Sequence, residues 1–546
     1  MIVDARELDD GAEIASHVCI VGAGPAGLTI AQELAGAPWK VCVLESGGVE
    51  ADPGTQRLAG LARHGDFFPP ASALHRQLAG TANVWDVRIT RDGGGCRFVP
   101  LDAIDFERRE WVPASGWPLS YADLAPFYAR ALRICGVDDG SYRVDDYVSA
   151  AAPALPLDPT RVTTSIERFG HSEAFTRRAR TALEGAPNVD VLVYATVTAL
   201  EEAGGGPAVT RARIVSAGGK RHAVAATLFV IAAGGIENPR LLMLSDGSRP
   251  AGLGNQHDLV GRFFMDHHNV RAGFLVPTSR RTLERAALYD LRLVRGQATM
   301  AKLRIAEDLM RRARLLNAAA RLEPGRAPHL IRAVRSLRRA RDQGLERARD
   351  AVDLFRDVVA DAPRLAAAAL RTLAPPSPRG LYGWSELFAK RWRFDGFHVE
   401  IQVEHAPHPD NRVVLGRDRD PLGLPRAAIY WRWNAVDLDS LRRVQSILAE
   451  ECARGGLGRL ETTEWSYLPE VTASGGIHHH MGTTRMHVDE RLGVVDRDCR
   501  VHGVPNVFIA GSSVFPTGGY ANPTLTIVAL AVRLADHLKS LIPRSA

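Results

Sequence analysis

Cysteine is scarce in this 546-residue chain, and the six present (Cys19, Cys42, Cys96, Cys135, Cys452, Cys499) stand far apart with no paired spacing. That excludes a disulfide-framed scaffold and reads as free thiols in a reducing compartment, so a cytoplasmic protein is expected. Also missing is any charge-free apolar run of about 18 residues, which argues against a membrane-spanning helix. The opening stretch MIVDARELDDGAEIAS is acidic and lacks the apolar core of a signal peptide. There is no general basic field either. Residues 301–380 hold 17 Arg and one Lys against nine acidic residues, a local excess of +9, and the total is only +6. The basic balance belongs to that one segment, so nucleic acid is not expected as a partner. The length exceeds what a single core usually supports, and two domains or one large two-part architecture is expected.

What is present begins with HVCIVGAGPAGLTIAQELAG (His17–Gly36), which reads as strand, tight turn and helix. Gly22, Gly24 and Gly27 form G-x-G-x-x-G, followed by Pro25 and Ala26 inside the turn and helix start. VCVLES (Val41–Ser46) follows as a second buried strand ending at Glu45 and Ser46. Glycines permit close backbone approach to a pyrophosphate, the helix N-terminus supplies N–H groups, and an acid about 20 residues on suits ribose hydroxyls. A second strand–turn, TLFVIAAGGIENPRLLMLS (Thr227–Ser245), carries Ala233 and Gly234, and a third, NVFIAGSSVFPTGG (Asn506–Gly519), carries Gly511 and Ser512. Three such turns spread along the chain predict one nucleotide domain assembled from distant segments.

Near the C-terminus, GYANPTLTIVALAVRLADHL (Gly519–Leu538) predicts a buried helix with Asn522 as N-cap and Pro523 at its first position. Such a helix start is either a capped core helix or a holder of an anion or electron-rich ring. Between the turns, the Ala-, Leu- and Arg-rich stretches of 301–373 predict two or three inserted helices, with solvated faces or with a docking role at a membrane surface or protein partner. EHAPHPDNRVVLGRDRDPLGLPRAAIYWRW (Glu404–Trp433) reads as strands, with Trp431 either lining a pocket or packing a sheet.

For proton-coupled oxidation chemistry a histidine base is the natural candidate, and HHHMGTTRM (His478–Met486) offers His478, His479 and His480. In an extended run His478 and His480 point one way and His479 the other, so spacing alone does not choose between them. Metal binding by the triplet is not expected, because alternation splits it between faces and no Cys or acid stands at ligand spacing.

Six motifs in order, RQLAGTANVWDVR (Arg76–Arg88), SGWPLSYADLAPFYARA (Ser115–Ala131), AAGGIENPRLLMLS, VGRFFMDH (Val260–His267), HHHMGTTRM and NVFIAGSSVFPTGGYANPT, resemble the glucose–methanol–choline oxidoreductase superfamily, in the branch containing pyranose oxidase and related sugar and polyol dehydrogenases. The resemblance implies an α/β fold, with a Rossmann-like FAD domain assembled from 1–100, 191–270 and 465–546. A segment at 101–190 and an α+β substrate domain with an antiparallel sheet at 271–464, including a helical insertion at 301–390, complete the expected architecture. It implies FAD contacts at Gly22, Gly24, Gly27 and Glu45, at Gly80, Thr81 and Asn83 beside the flavin, at Val197 by its backbone, at Gly511 and Ser512, and at Asn522, Pro523 and Thr524. Where pyranose oxidase carries a flavin-linking histidine this chain has Val84, which implies non-covalent FAD. The implied reaction is oxidation of a secondary alcohol of a sugar, glycoside, cyclitol or polyol to a ketone, with His479 as base, Asn522 as its partner, flavin N5 as hydride acceptor, and dioxygen or another acceptor completing turnover. A lipid or sterol alcohol, or a lyase-type relative, is the alternative.

Overall fold

The computed structural model describes residues 1–66, 74–85, 87–88, 94–138, 140–202, 204, 206–325, 384–385, 394–465 and 478–542. Two large sheets organise them. The first has eight strands and a parallel centre: Val41–Leu44 lies beside Glu13–Val21, which lies beside Arg221–Ile231, which in turn pairs Val507–Ile509. These strands are continuous runs of Val, Ile, Leu, Phe and Cys because both faces are covered. The helices Pro25–Leu34 and Thr524–Leu541 pack together over the sheet, burying Leu28, Ile30, Val528 and Leu534 in one core. Pairing strands separated by some two hundred residues and more brings their carboxyl ends to one edge, as the sequence motifs predict.

The second sheet has nine antiparallel strands, including Gly94–Phe98, Val162–His171, Gln297–Ile305, Ala318–Gly325, Gly396–Val403 and His268–Pro277. Alternation gives each strand two unlike faces. Ile166, Leu303, Ala320, Ile401 and Val270 face the helix Ala435–Arg454, which buries Leu441, Val444 and Leu448 against them. That helix starts at a capping box, in which the Asn434 side chain accepts from the Asp437 amide and Asp437 accepts from that of Asn434. Glu167, Lys302, Arg321 and Glu400 lie on the opposite face.

Three sequence expectations change here. The stretch Leu309–Leu322 is not one helix: a short helix, Glu307–Ala313, gives way to the strand Ala318–Gly325. Its alanines favour helix locally, but backbone pairing with Gly396–Val403 along eight residues outweighs that preference. The remaining helices expected within 326–373 lie outside the described residues. Val87–Arg88 and Gly94–Phe98, placed by the sequence in the nucleotide domain, join the second sheet. The hairpin Arg412–Arg419 with Pro425–Trp431, expected in the second domain's sheet, does not join it; it forms a separate three-stranded sheet with Leu61–Gly65. Among the described residues no helix is long and apolar enough to cross a membrane, and all six cysteines are buried thiols.

Glu404, just past the end of Gly396–Val403, ties the segment 101–120 to the second sheet. Both its oxygens accept from Arg109, at 2.6 and 2.7 Å, and the pair is fully buried. The Asn317 amide completes the site at 3.1 Å. Removing one partner leaves an uncompensated buried charge. Glu404→Gln should therefore lower the unfolding free energy by about 3–5 kcal/mol, read as a fall in Tm or denaturant midpoint.

Candidate active site

At the edge where the central strands end lies a cavity of about 380 Å³. Its floor is the opening turn. Gly22 has φ +104°, and a Cβ there would lie 2.6 Å from the Ala232 carbonyl oxygen; a Cβ on Gly27 would lie 1.9 Å from that of Gly22. Those two positions must be glycine for turn, helix and neighbouring strand to close together. Gly24 has open space instead, and with Pro25 and Ala26 it lines the cavity. The helix Pro25–Leu34 has no side-chain cap, so its N-terminal amides face the cavity bare. Glu45 is buried beside them, accepting from the amides of Ala23 at 3.1 Å and Gly47 at 2.8 Å; burial pushes its carboxyl up.

Around this floor stand Ser46, Gly80, Thr81, Val197, Ala233, Gly234, Gly511 and Ser512, each expected from sequence. Asn83 and Gly27 do not line the cavity. Asn83 instead donates to the carbonyls of Leu78 and Gly80, at 2.8 Å each, and shapes the loop that does. Val84 lines the wall. A chain of ion pairs that the sequence analysis missed closes the far end. Arg76 donates to Ser46 Oγ (2.9 Å) and Glu237 (2.9 Å), and Arg240 joins Glu237 (3.0 Å) to Asp420 (2.6 Å). Arg76, Glu237 and Arg240 sit within motifs already quoted, but Asp420, the partner of Arg240, lies 180 residues on from it, and sequence spacing carries no signal of the pair.

The opposite end is built by histidines. Met265 and Met481 form an isolated bridge with amide-to-carbonyl bonds of 3.0 and 2.9 Å. One oxygen of the next residue, Asp266, accepts from the amides of both His267 (2.7 Å) and His479 (2.9 Å). This clamp sets the two rings edge to face, with Nδ1 to Nδ1 at 3.0 Å. His267 Nε2 lies 2.7 Å from the Gly519 carbonyl. A carbonyl only accepts, so His267 Nε2 carries the proton and its Nδ1 is a lone pair. His479 Nδ1 must then donate, which leaves His479 Nε2 bare. Burial supports the neutral rings, pushing His267 down to about 4 and His479 well below the ordinary histidine range. The amide nitrogen of Asn522 faces that bare Nε2 at 3.2 Å.

Asn522 is therefore not the helix cap expected from sequence. The helix begins at Thr524, Pro523 occupies the cap position, and no side chain caps it. Asn522 turns to His479 instead, while its buried Oδ1 has no hydrogen-bond partner among the described residues. Pro523 and Thr524 line the cavity, as do all three histidines of the triplet. His480 is buried, with its ring near Phe264 and its pKa pushed down to about 3 by burial. Trp431, a candidate substrate residue, does not reach the cavity: it is 1% exposed, stacked on His268 at 4.7 Å and tilted against His405. Its strand belongs to the small third sheet, which turns the ring into the core. His267 carries no sequence signal of a site; only the folded register of 265 against 481 reveals its link to His479.

Known proteins share this architecture. Residues 17–256 match the family model described as FAD dependent oxidoreductase, and 407–531 match GMC oxidoreductase. Paromamine 6'-oxidase of Streptomyces fradiae is 25% identical, over 95% of this chain and 90% of its own. C-glycoside 3-oxidase of Arthrobacter globiformis is 37% identical over a shorter stretch, 26% of each chain. The Aspergillus oryzae formate oxidase structure superposes with TM-score 0.53 at 18% identity, covering 98% of this chain and 99% of that one, a likeness of fold. The cavity fits FAD: a bare helix N-terminus for the pyrophosphate, a buried carboxylate, an orphaned Asn522 oxygen, and open space where a Cβ on Gly24, Gly234 or Gly511 would project. Gly24→Leu should fill that space without a backbone clash, so the purified variant should lose its flavin absorbance yet keep native-like circular dichroism.

Proposed function

Because the chain belongs to the GMC oxidoreductases and is an FAD-dependent alcohol oxidoreductase, we propose that it oxidises a secondary hydroxyl of a sugar, glycoside, cyclitol or related polyol to a ketone, with His479 as the base and Asn522 orienting the reacting oxygen. The observation that carries this reading is the one-way proton arrangement from the Gly519 carbonyl through His267 to His479, which leaves Nε2 as an acceptor at the cavity wall. A hydroxyl placed between His479 Nε2 and the Asn522 amide donates to the first and accepts from the second. Oxidation removes the O–H proton together with a hydride from carbon, and the proton passes to Nε2. FAD, when bound, supplies the two-electron acceptor for that hydride, and dioxygen or another acceptor completes turnover. The His479 Nδ1–H bond to His267 persists when Nε2 takes the proton, so the ring does not turn during the transfer. Relatives named for a paromamine and a C-glycoside support a glycosidic substrate class.

Anaerobic mixing with sugars, glycosides, cyclitols, simple alcohols and sterols should bleach the absorbance of the bound flavin with the polyhydroxylated class. Bleaching by sterols alone, or by none while dithionite reduces the flavin, would overturn the reading. His479→Ala should retain FAD and slow reduction by the same substrate roughly a hundred- to ten-thousand-fold. The depressed pKa of His479 keeps Nε2 bare as pH falls, so kcat/KM should hold its value through pH 6.5 and decline only in more acidic solution. An acid limb at or above the ordinary histidine pKa would contradict the buried-neutral assignment.

A further inference from the structure

The charged face of the second sheet is turned toward the catalytic end of the cavity. Arg97, on the strand Gly94–Phe98, lines the cavity with His479 and Asn522, and the neighbouring Cys96 lies 3.8 Å from Thr524 Oγ1. Across the strands, Arg97 Nε lies 3.1 Å from Glu167 Oε2, and the other oxygen of Glu167 lies 2.5 Å from Lys302 Nζ. Lys302 donates in addition to Gln402 Oε1 at 2.8 Å, a neutral partner, and sits over the Tyr520 ring at 5.6 Å. Glu167 and Lys302 are each 1% exposed.

This trio holds two cations and one carboxylate. Burial lowers Lys302 only to about 8, which leaves it mostly protonated at neutral pH. The unbalanced charge is presented by Arg97, because Lys302 is covered and Arg97 is not: its side chain is 17% exposed. Glu167 faces Nε, on the inner side of the guanidinium, as an ion pair and not through an aligned hydrogen bond. Among the described residues the two terminal nitrogens have no hydrogen-bond partner. A guanidinium held by charge on its Nε side, with both terminal N–H groups open, presents the fork geometry that pairs with a carboxylate. The other charged residues lining the cavity, Glu45, Arg76, Glu237, Arg240 and Asp420, belong to the opposite, nucleotide end.

From this geometry we infer that Arg97 is a specificity-determining residue and that the substrate carries a carboxylate, as a uronic or aldonic acid or a uronide does. The inference rests on the proposed oxidation of a sugar or polyol. One excess positive charge matches a monoanion; a phosphate dianion overcompensates it, and an amino sugar meets repulsion.

Equilibrium titration of the oxidised His479→Ala holoenzyme, which retains FAD and is reduced too slowly to turn over during the measurement, followed by perturbation of the flavin spectrum, tests this, with the Arg97 variants made in the same background. The probes are glucuronate, methyl glucoside, glucosamine and glucose 6-phosphate. Glucuronate is expected to bind at least tenfold more tightly than methyl glucoside and glucosamine. Arg97→Gln should reduce that preference to near unity while retaining FAD and leaving the methyl glucoside affinity within twofold. Arg97→Lys, which keeps the charge and loses the fork, should retain part of it. Equal binding of glucuronate and methyl glucoside, a preference that survives in Arg97→Gln, tightest binding of glucose 6-phosphate, or a variant that loses both sugars equally would each overturn the inference. Failure of every sugar to reduce the flavin of the enzyme with His479 in place, with the binding preference intact, would instead count against the oxidation chemistry.

Discussion

Parallel pairing of Glu13–Val21, Arg221–Ile231 and Val507–Ile509 is the constraint on which the rest of this molecule depends. Strand ends that share one edge force their following turns to share it. The amide of Ala232 donates to the Val21 carbonyl and that of Ala510 to the Ile231 carbonyl, so the three glycine turns are set side by side by main-chain bonds. Parallel strands require crossovers, and the long crossovers here are the segments that build the second sheet. The cavity is thus a consequence of topology: one wall is the carboxyl edge of a parallel sheet, where open α/β sheets place their ligands. The other wall is whatever the crossovers bring over it.

The chemistry at that meeting point is set by backbone atoms as much as by side chains. A single carbonyl, that of Gly519, decides which nitrogen of His267 holds its proton, and through it which nitrogen of His479 is bare. The alternative tautomer would set a lone pair against that carbonyl inside a buried site, a cost comparable to losing a hydrogen bond to a buried group. Asp266 fixes the distance between the rings through two amides, not through either imidazole, so it holds the pair without charging it. A carboxylate bonded directly to a ring would favour imidazolium and weaken the base at rest. Burial pushes the Asp266 carboxyl itself well up, toward its neutral form, and its bonds go to backbone N–H groups, so Asp266 leaves the rings neutral.

Much of this was legible in the sequence where the signal was local. The glycine spacing of 22, 24 and 27, the acid at Glu45 and the strand–turn repeats announced the nucleotide domain, because each feature reports on its own few residues. The helix start at 522–524 was legible as a turn but not in detail: Asn at a helix start usually caps it, and only the approach of His479 shows why this side chain turns away. His267 and Arg97 carry no local mark. Their roles arise from register, Met265 against Met481 and Arg97 diagonal to Glu167 across the antiparallel pair, and register depends on contacts hundreds of residues apart. Ala318–Gly325 failed for the same reason, since its helical composition yields to a partner strand some eighty residues on.

The two faces of the second sheet connect these points. One face is apolar because Ala435–Arg454 covers it, and period-two alternation then assigns the intervening residues to the cavity side. Charged side chains on that side cannot be left to solvent, because Glu167 and Lys302 are buried; they must satisfy one another across strands. Pairing by whole charges rarely balances at a boundary, and here the residual positive charge falls on Arg97, the member of the row that lines the cavity with His479. The same positive charge disfavours protonation of His479. A substrate carboxylate bound there would neutralise it and raise the affinity of Nε2 for the proton. Binding of an anionic substrate and strengthening of the base would then be one electrostatic event, at the place where the sheet's charge pattern ends.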